Sequence, residues 1–198
     1  MKNLFLLSLV LALTACGPRA FIKGDYDKDP ESENLLTDQW SETDMQVAVH
    51  DLVNSMVNTT RAYGNVNNRR IPIVMVTNLQ NQTSEHINTE SIMDMVRVEI
   101  TKNGQVQFVD KQARGDIKEE YEYQEGMVTE ETKSKKGSQI GADYILNGRL
   151  DSIVQEAGSK KTVYYKLTMN LTDLKSGLIA WTDQKQLRKL YKKQHVGL

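Results

Sequence analysis

Three histidines are the side chains best suited to acid–base catalysis or metal binding in this sequence. His50, His86 and His195 lie far apart along the chain, and none belongs to an HExxH motif or a comparable ligand spacing. No G-x-S-x-G sequence marks a nucleophilic serine. The acidic run Glu119–Glu122 is typical of a solvated helix face, and the glycines of residues 136–141 end a predicted helix instead of beginning one. The sequence therefore predicts no catalytic, metal or cofactor site.

The only cysteine, Cys16, lies in a context that points to chemical modification. The chain begins with a basic residue, Lys2, continues with an apolar run over residues 4–13, and reaches Cys16 through Leu-Thr-Ala. A basic start, a short apolar core and small residues at a cleavage site are typical of a secretory signal peptide. The apolar run is too short to span a bilayer, which takes about 20 residues. One alternative is an ordinary secreted protein with a free thiol.

The Leu-Thr-Ala-Cys sequence resembles the bacterial lipobox, whose cysteine sulfur receives a diacylglyceryl group and becomes the mature N-terminus. The resemblance implies that Cys16 is lipidated and that residues 1–15 are a lipoprotein signal peptide. Stable anchoring requires more than one acyl chain, and a lipobox cysteine carries three. Gly17 stands where an aspartate would favour retention in the inner membrane, so the resemblance favours the outer membrane.

The rest of the chain divides into a polar segment and one globular domain. Residues 16–40 are mostly polar, and we expect them to form a flexible tether behind the lipidated cysteine. Such a tether reaches about 80 Å when fully extended and about 27 Å as a coil. Residues 41–198 are long enough for a domain with an ordinary hydrophobic core. The formal net charge of −1 gives no overall positive field that would favour nucleic acid.

The first part of the domain is predicted to alternate helices and strands. A helix start signal at Ser41 is followed by apolar residues at helical spacing, which predict a helix over residues 43–60. The continuous apolar run of residues 71–76 predicts a buried strand, and a polar loop is predicted over residues 77–88. Further helices are predicted over residues 89–103, 111–125 and 129–141, with a short strand over residues 106–109.

The last third changes from helical to strand periodicity. Residues 163–172 alternate apolar and polar side chains, and turn sequences separate three predicted strands that include residues 143–155, 163–172 and 178–187. An antiparallel sheet with one apolar face must be covered by helices. The predicted fold class is therefore α/β (α+β), with a small mixed β-sheet flanked by helices.

Several segments together resemble the family of LpoB-type outer-membrane lipoproteins, which activate penicillin-binding proteins. Each segment is moderately specific alone, but their order behind a lipobox makes the resemblance strong. The resemblance covers residues 43–188 and rests on residues 73–76, 78–83, 103–109, 141–146 and 171–181.

The resemblance implies a fold similar to the N-terminal domain of TolB and a protein that is not an enzyme and binds no cofactor. It implies a lipid-anchored domain that faces the periplasm from the outer membrane. There the domain would bind a peptidoglycan synthase (a penicillin-binding protein) and stimulate cell-wall synthesis. Neither nucleic acid nor a small-molecule substrate is an expected partner. The tether is shorter than in the better-known members, which makes the reach to an inner-membrane synthase a constraint.

Two other functions stay open from the residues. CsgG-type secretion lipoproteins contain a related α/β domain, so the chain could be a structural or assembly lipoprotein of the envelope. The long amphipathic hairpins that build a pore are not evident, however. A cell-wall hydrolase is the second alternative, and no motif supports it.

Residues that contact a partner are expected in connections, because binding residues are more often found there than on core strands. The two favoured places are residues 78–88 and the predicted hairpin tip near Gly158. The candidate contact residues are Asn78, Asn81, Thr83, His86 and Gly158.

Overall fold

The computed structural model describes residues 37–67, 71–102 and 104–192. Cys16, the predicted signal peptide of residues 1–15 and most of the predicted tether lie outside these residues, as does His195. The secondary-structure elements are α1 (Glu42–Asn67), β1 (Ile73–Gln82), α2 (Thr89–Lys102), β2 (Gln107–Val109), α3 (Arg114–Met127), β3 (Tyr144–Ala157), β4 (Lys160–Asp173) and β5 (Ile179–Lys192).

The strands form one mixed sheet in the order β2-β1-β3-β4-β5. β1 runs parallel to both β2 and β3, whereas β3, β4 and β5 form the antiparallel meander that the alternating sequence predicts. The described residues therefore confirm the predicted fold class, a small mixed sheet with flanking helices.

The hydrophobic core lies between one face of the sheet and two helices. α1 packs on β5 and on α2, and α2 packs on β1. The apolar stripe predicted for the first helix supplies Val49, Leu52, Val53 and Met56 to this core. The opposite face of the sheet carries polar residues such as Asn147, Arg149, Thr168 and Asn170.

Strand β1 continues beyond the predicted end at Val76, so the loop prediction for residues 77–82 is wrong. The pairing with β3 shifts between Val76 and Leu79, where the bulged strand contributes an extra residue. Side chains along a strand alternate with a period of two, so this bulge returns Leu79 to the core face. The same shift interrupts the apolar pattern, which is why the sequence suggests that the strand ends there.

The predicted helix over residues 129–141 is also wrong. Two isolated turns form instead. The amides of Thr132 and Lys133 both donate to the carbonyl of Thr129 at 3.1 Å, and the amide of Ser138 donates to the carbonyl of Lys135 at 3.4 Å. The following residues are irregular, and the segment buries no apolar side chain, since even Ile140 is exposed. Gly137 takes a φ of 84°, outside the helical region, so the stretch before it is too short to offset the cost of helix nucleation.

Two other helices match their predictions more closely. α1 begins as predicted after Ser41 but continues to Asn67, seven residues beyond the predicted end at residue 60. α3 is the expected surface helix with no buried residue, and Gly126, with φ of 90°, lies at its end as predicted. Within the part of the chain that the structure describes, no helix is long and apolar enough to cross a membrane.

Candidate docking site

The predicted contact residues lie near the end of the sheet where β1 stops, but they do not form one cluster. Asn78 lies on the polar face of β1 beside a cleft, and Asn81 and Thr83 lie at the end of β1. His86 lines a separate cavity before α2. Gly158 occupies the tight turn between β3 and β4, where its φ of 58° suits glycine. Of these five residues, only Asn81 and Thr83 are hydrogen-bonded to each other.

Asn81 and Thr83 build the turn that leads the chain away from β1. The Asn81 side chain accepts the Thr83 amide at 2.9 Å, and its own amide group donates to the Glu85 carbonyl at 2.8 Å. The Thr83 hydroxyl accepts the Glu85 amide at 3.1 Å. Asn and Thr side chains commonly hold turns in this way. These two residues thus have structural partners within the chain, which the sequence alone does not show.

The turn positions Glu85, a residue that the sequence analysis does not select. One oxygen of its carboxylate accepts the Trp40 backbone amide at 2.8 Å, and the other accepts the Tyr165 hydroxyl. The rings of Trp40 and Tyr165 meet edge to face with centroids 5.3 Å apart, an arrangement favoured by their quadrupoles. Glu85 therefore ties the segment before α1 to the buried side chain of β4.

Lys189 of β5 holds the same segment from the other side. Its ammonium group donates to the carbonyls of Thr37 at 3.1 Å and Gln39 at 2.7 Å, and it pairs with the carboxylate of Asp44. Lys189 and Asp44 are 8% and 6% exposed, so this is a buried ion pair. The ammonium also lies 5.7 Å from the centroid of the Tyr165 ring, within reach of a cation–π interaction.

Asp44 also begins helix α1. Its carboxylate accepts the Ser41 backbone amide at 2.8 Å, and the Ser41 hydroxyl lies 3.4 Å from the Asp44 amide. This reciprocal arrangement is a capping box, as the sequence predicts for residues 41–44. One carboxylate therefore caps the helix and neutralises the buried lysine.

Burial and neighbouring charged groups shift the pKa values of two tyrosines and of one surface carboxylate around this cluster. Burial, and then the hydrogen bond to Glu85, raise the pKa of Tyr165 well above its ordinary value. Burial likewise raises the pKa of Tyr191, whose hydroxyl donates to the Thr37 carbonyl. At the surface, the hydrogen bond from Lys161 at 2.8 Å lowers the pKa of Asp38. Residues 37–41 are thus held at several points against β4 and β5.

Two open cavities lie at the surface, one beside this cluster and the other on the polar face of the sheet. His86 lines one of about 620 Å³ with Trp40, Ser41 and Met45. Asn78 lines the other, of about 600 Å³, whose wall also contains Asn147 and Arg149. Their side chains offer hydrogen bonds and charge to a ligand. Among the described residues, no group of three or more His, Cys, Asp or Glu side chains could hold a metal ion.

Comparisons with known proteins find one family and several similar folds. The family model for the peptidoglycan-synthase activator LpoB matches residues 44–187. The LpoB C-terminal domain from Salmonella enterica is 18% identical, with 73% of this chain and 98% of that chain covered and a TM-score of 0.44. The domain from Escherichia coli is 15% identical with the same coverage and TM-score.

A lipoprotein from Neisseria meningitidis, GNA1162, is a third similar structure. It is 12% identical, with 63% of this chain and 88% of that chain covered and a TM-score of 0.39. A sequence search of curated proteins finds no match.

Replacing Lys189 by alanine should strongly destabilise the domain. The change leaves the Asp44 carboxylate buried without its counter-ion and frees the carbonyls of Thr37 and Gln39. Removing one partner of a buried pair costs about 3–5 kcal/mol in the free energy of unfolding, which urea denaturation measures. Lys185→Ala is the matched control on the same strand, because Lys185 pairs with Asp51 at the surface and its loss costs about 1 kcal/mol or less. Equal losses in the two variants would contradict the central role of Lys189.

The Tyr165 hydroxyl should make the domain lose stability at alkaline pH. Because the pKa of Tyr165 is raised in the folded protein, its stabilising contribution is complete below pH about 10 and falls as the pH rises further. Tyr165→Phe lacks this group, so its free energy of unfolding should decline less steeply above pH about 10 than that of the unchanged protein. Urea denaturation at a series of alkaline pH values measures how steeply the free energy of unfolding declines with pH in each protein. Equal declines would disprove this role of the Tyr165 hydroxyl.

Proposed function

We propose that this chain, which belongs to the LpoB family of peptidoglycan-synthase activators, binds a peptidoglycan synthase and stimulates it without catalysing a reaction itself. The observation that carries the proposal is the family match over residues 44–187. That range spans the ordered elements from α1 into β5, so it coincides with the unit that would dock on a partner.

Activation by a binding protein requires a difference in affinity. The domain must bind the active conformation of the synthase more tightly than the inactive one, because equal affinity shifts no equilibrium. Moving a synthase from 1% to 99% active takes a preference of about 10⁴-fold. The proposed role of the domain is therefore to present a surface that only the active conformation matches.

The geometry of the sheet end favours binding over catalysis. The titratable side chains collected there are Asp44, Glu85, Tyr165 and Lys189, and each has a hydrogen-bond or ion-pair partner within the domain. These partners hold residues 37–41 and the turn after β1 in one arrangement. A docking surface benefits from such preorganisation, because less entropy is lost on association.

The proposal includes a lipid anchor at Cys16 that faces the domain toward the periplasm from the outer membrane. Lipobox chemistry at Cys16 and the glycine at position 17 support it. The anchor confines the domain near the membrane, and residues 17–36 span at most about 70 Å between the lipid and Thr37, the first residue that the structure describes. A partner synthase must come within that distance.

The proposed function is tested by a binding assay and a glycan polymerisation assay. Both use the full chain, solubilised in detergent, and bifunctional synthases purified from the same cell envelope. The expected result is that one synthase is retained by the immobilised protein and polymerises glycan strands faster when it is present. The protein alone should release no product from glycan. If no synthase is retained or accelerated, or if the protein itself turns over glycan, the proposed function is wrong.

Cys16→Ser should abolish membrane attachment. Serine offers no thiol for a thioether-linked diacylglyceryl group, and one missing anchor removes the buried methylenes that hold the protein at the bilayer, each worth about 0.8 kcal/mol. Mass spectrometry of the mature N-terminus and fractionation of cells measure the change. A Cys16→Ser protein that stays in the outer-membrane fraction, or an unchanged protein without acyl chains, would refute the anchor.

A further inference from the structure

In the described part of the chain, one edge of strand β3 has no neighbouring strand along its last six residues. β1 pairs with β3 only as far as Gln82 opposite Asp151, where the turn at Asn81 leads the chain away. β3 continues to Ala157 and stays paired on its other side with β4. Among the described elements, none pairs with Ser152–Ala157 on the side that β1 leaves, so a strand-shaped gap exists beside a rigid hairpin.

The two-residue turn determines which backbone groups point into this gap. Gly158 and Ser159 connect the strands, and Ala157 opposite Lys160 is then a hydrogen-bonded pair. Hydrogen-bonded and non-hydrogen-bonded pairs alternate along an antiparallel ladder. Val154 opposite Val163 is therefore a non-hydrogen-bonded pair, as is Ser152 opposite Tyr165. Their N–H and C=O groups point away from β4 and are available to an added strand.

Two aliphatic side chains flank the gap on opposite faces of the sheet. Ile153 is 56% exposed and Val154 is 47% exposed, although both lie in a regular strand. β5, whose outer edge also has no strand neighbour among the described elements, carries Gln184, Gln186 and Arg188 at the exposed positions of its middle part, and its exposed apolar residues, Ile179 and Leu190, lie apart near its two ends. Charged and polar side chains protect an edge from strand addition, whereas exposed apolar ones favour it. The β3 edge is thus the better template.

Two lysines lie near the turn that ends the gap, while the one carboxylate of Ser152–Ala157, Glu156, lies 4.0 Å from the ammonium of Lys161. Lys160 lies directly opposite Lys192 across β4 and β5, and both are exposed. Like charges in this position repel each other. Neither lysine has an ion-pair partner among the residues that the structure describes, and the nearby Arg188 lies 5.9 Å from the Tyr164 ring. By contrast, Lys166 pairs with Asp151 at 3.6 Å and Lys161 with Asp38 at 2.8 Å.

We propose that an extended acidic segment of the partner protein, with alternating apolar side chains, adds as a strand beside Ser152–Val154. Its backbone would bond to the N–H and C=O groups of Ser152 and Val154, which is the mode of β-strand addition. Its apolar side chains would cover Ile153 and Val154, and its carboxylates would be attracted by the charges of Lys160 and Lys192 farther along the hairpin. The identity of the partner as a synthase rests on the proposed function. The unpaired edge of β3 is observed independently of that proposal.

The test measures binding of the synthase to the full chain and to edge variants. Val154→Pro removes the N–H that faces the gap without removing a bond to β4, and Ile153→Asp places a negative charge beside the acidic segment. Leu178→Asp is the matched control, since Leu178 is 69% exposed but lies at the turn between β4 and β5. We expect at least tenfold weaker binding for both edge variants and an unchanged affinity for Leu178→Asp. Thermal unfolding shows which variants are folded.

A second measurement does not need the synthase or a variant. A synthetic peptide that alternates valine and glutamate is titrated into the unchanged protein, and the amide resonances and hydrogen exchange of Ser152 and Val154 are followed by NMR. We expect both amides to shift and become protected, and a valine–lysine peptide to have a smaller effect at low salt. Salt should reduce the difference, because it screens the lysines.

The outcomes separate the two proposals. If the synthase binds the folded edge variants as tightly as the unchanged chain, strand addition is wrong while the proposed function stands. If no synthase binds, the proposed function fails and the peptide titration decides about the edge. Amides of Ser152 and Val154 that neither shift nor gain protection with the acidic peptide overturn the inference.

Discussion

The buried pair of Lys189 and Asp44 determines how the end of this domain is built. Two charges removed from water are tolerated only when all their hydrogen-bonding groups find partners. An ammonium has three donors, and those of Lys189 have three acceptors: the Thr37 carbonyl, the Gln39 carbonyl and the Asp44 carboxylate. Asp44 in turn caps α1 through Ser41. The start of the helix, the segment before it and the end of β5 therefore cannot move independently.

That constraint extends outward to the docking surface. Holding residues 37–41 places Trp40 against Tyr165, and the Trp40 amide then binds Glu85. Glu85 lies at the end of the turn that takes β1 away from β3, which leaves the β3 edge open. Asp38 binds Lys161, whose strand partner is Glu156 of that edge, so the edge lies close to residues 37–41.

The sequence predicts those features that rest on local periodicity. The apolar stripe of the first helix, its capping box at Ser41 and the alternation of β4 all appear in the structure as expected. The bulge after Val76 is not predictable, because one extra residue inverts the apolar pattern within a strand. The charges of residues 129–141 suggest a helix, but Gly137 takes a φ of 84° within the segment, a backbone conformation that the charge pattern does not reveal.

The candidate site is harder to predict, because its contacts join residues far apart in the chain. Along β5, Lys189 lies on the same inward face as Trp181 and Leu187. A lysine on that face is the one local indication in the sequence of a buried charge. Nothing near Lys189 identifies Asp44 as its partner. Asn81 and Thr83 are candidate contact residues in the sequence because they are polar and lie in a predicted loop. In the structure their side chains form the hydrogen bonds that stabilise the turn after β1. Likewise, the open edge of β3 follows from where β1 leaves the sheet, which depends on pairing between distant segments.

Strand addition would also give an activator the preference for one conformation of its partner that activation requires. Backbone hydrogen bonds form only with a partner segment that is extended and unpaired, so an open edge discriminates between conformations of one sequence. A synthase that exposes such a segment in its active state would gain binding energy in that state alone. That differential affinity is the requirement for shifting a conformational equilibrium. The β3 edge suits this role because it is already held extended by its pairing with β4, so more of the interaction energy is available to favour the active conformation.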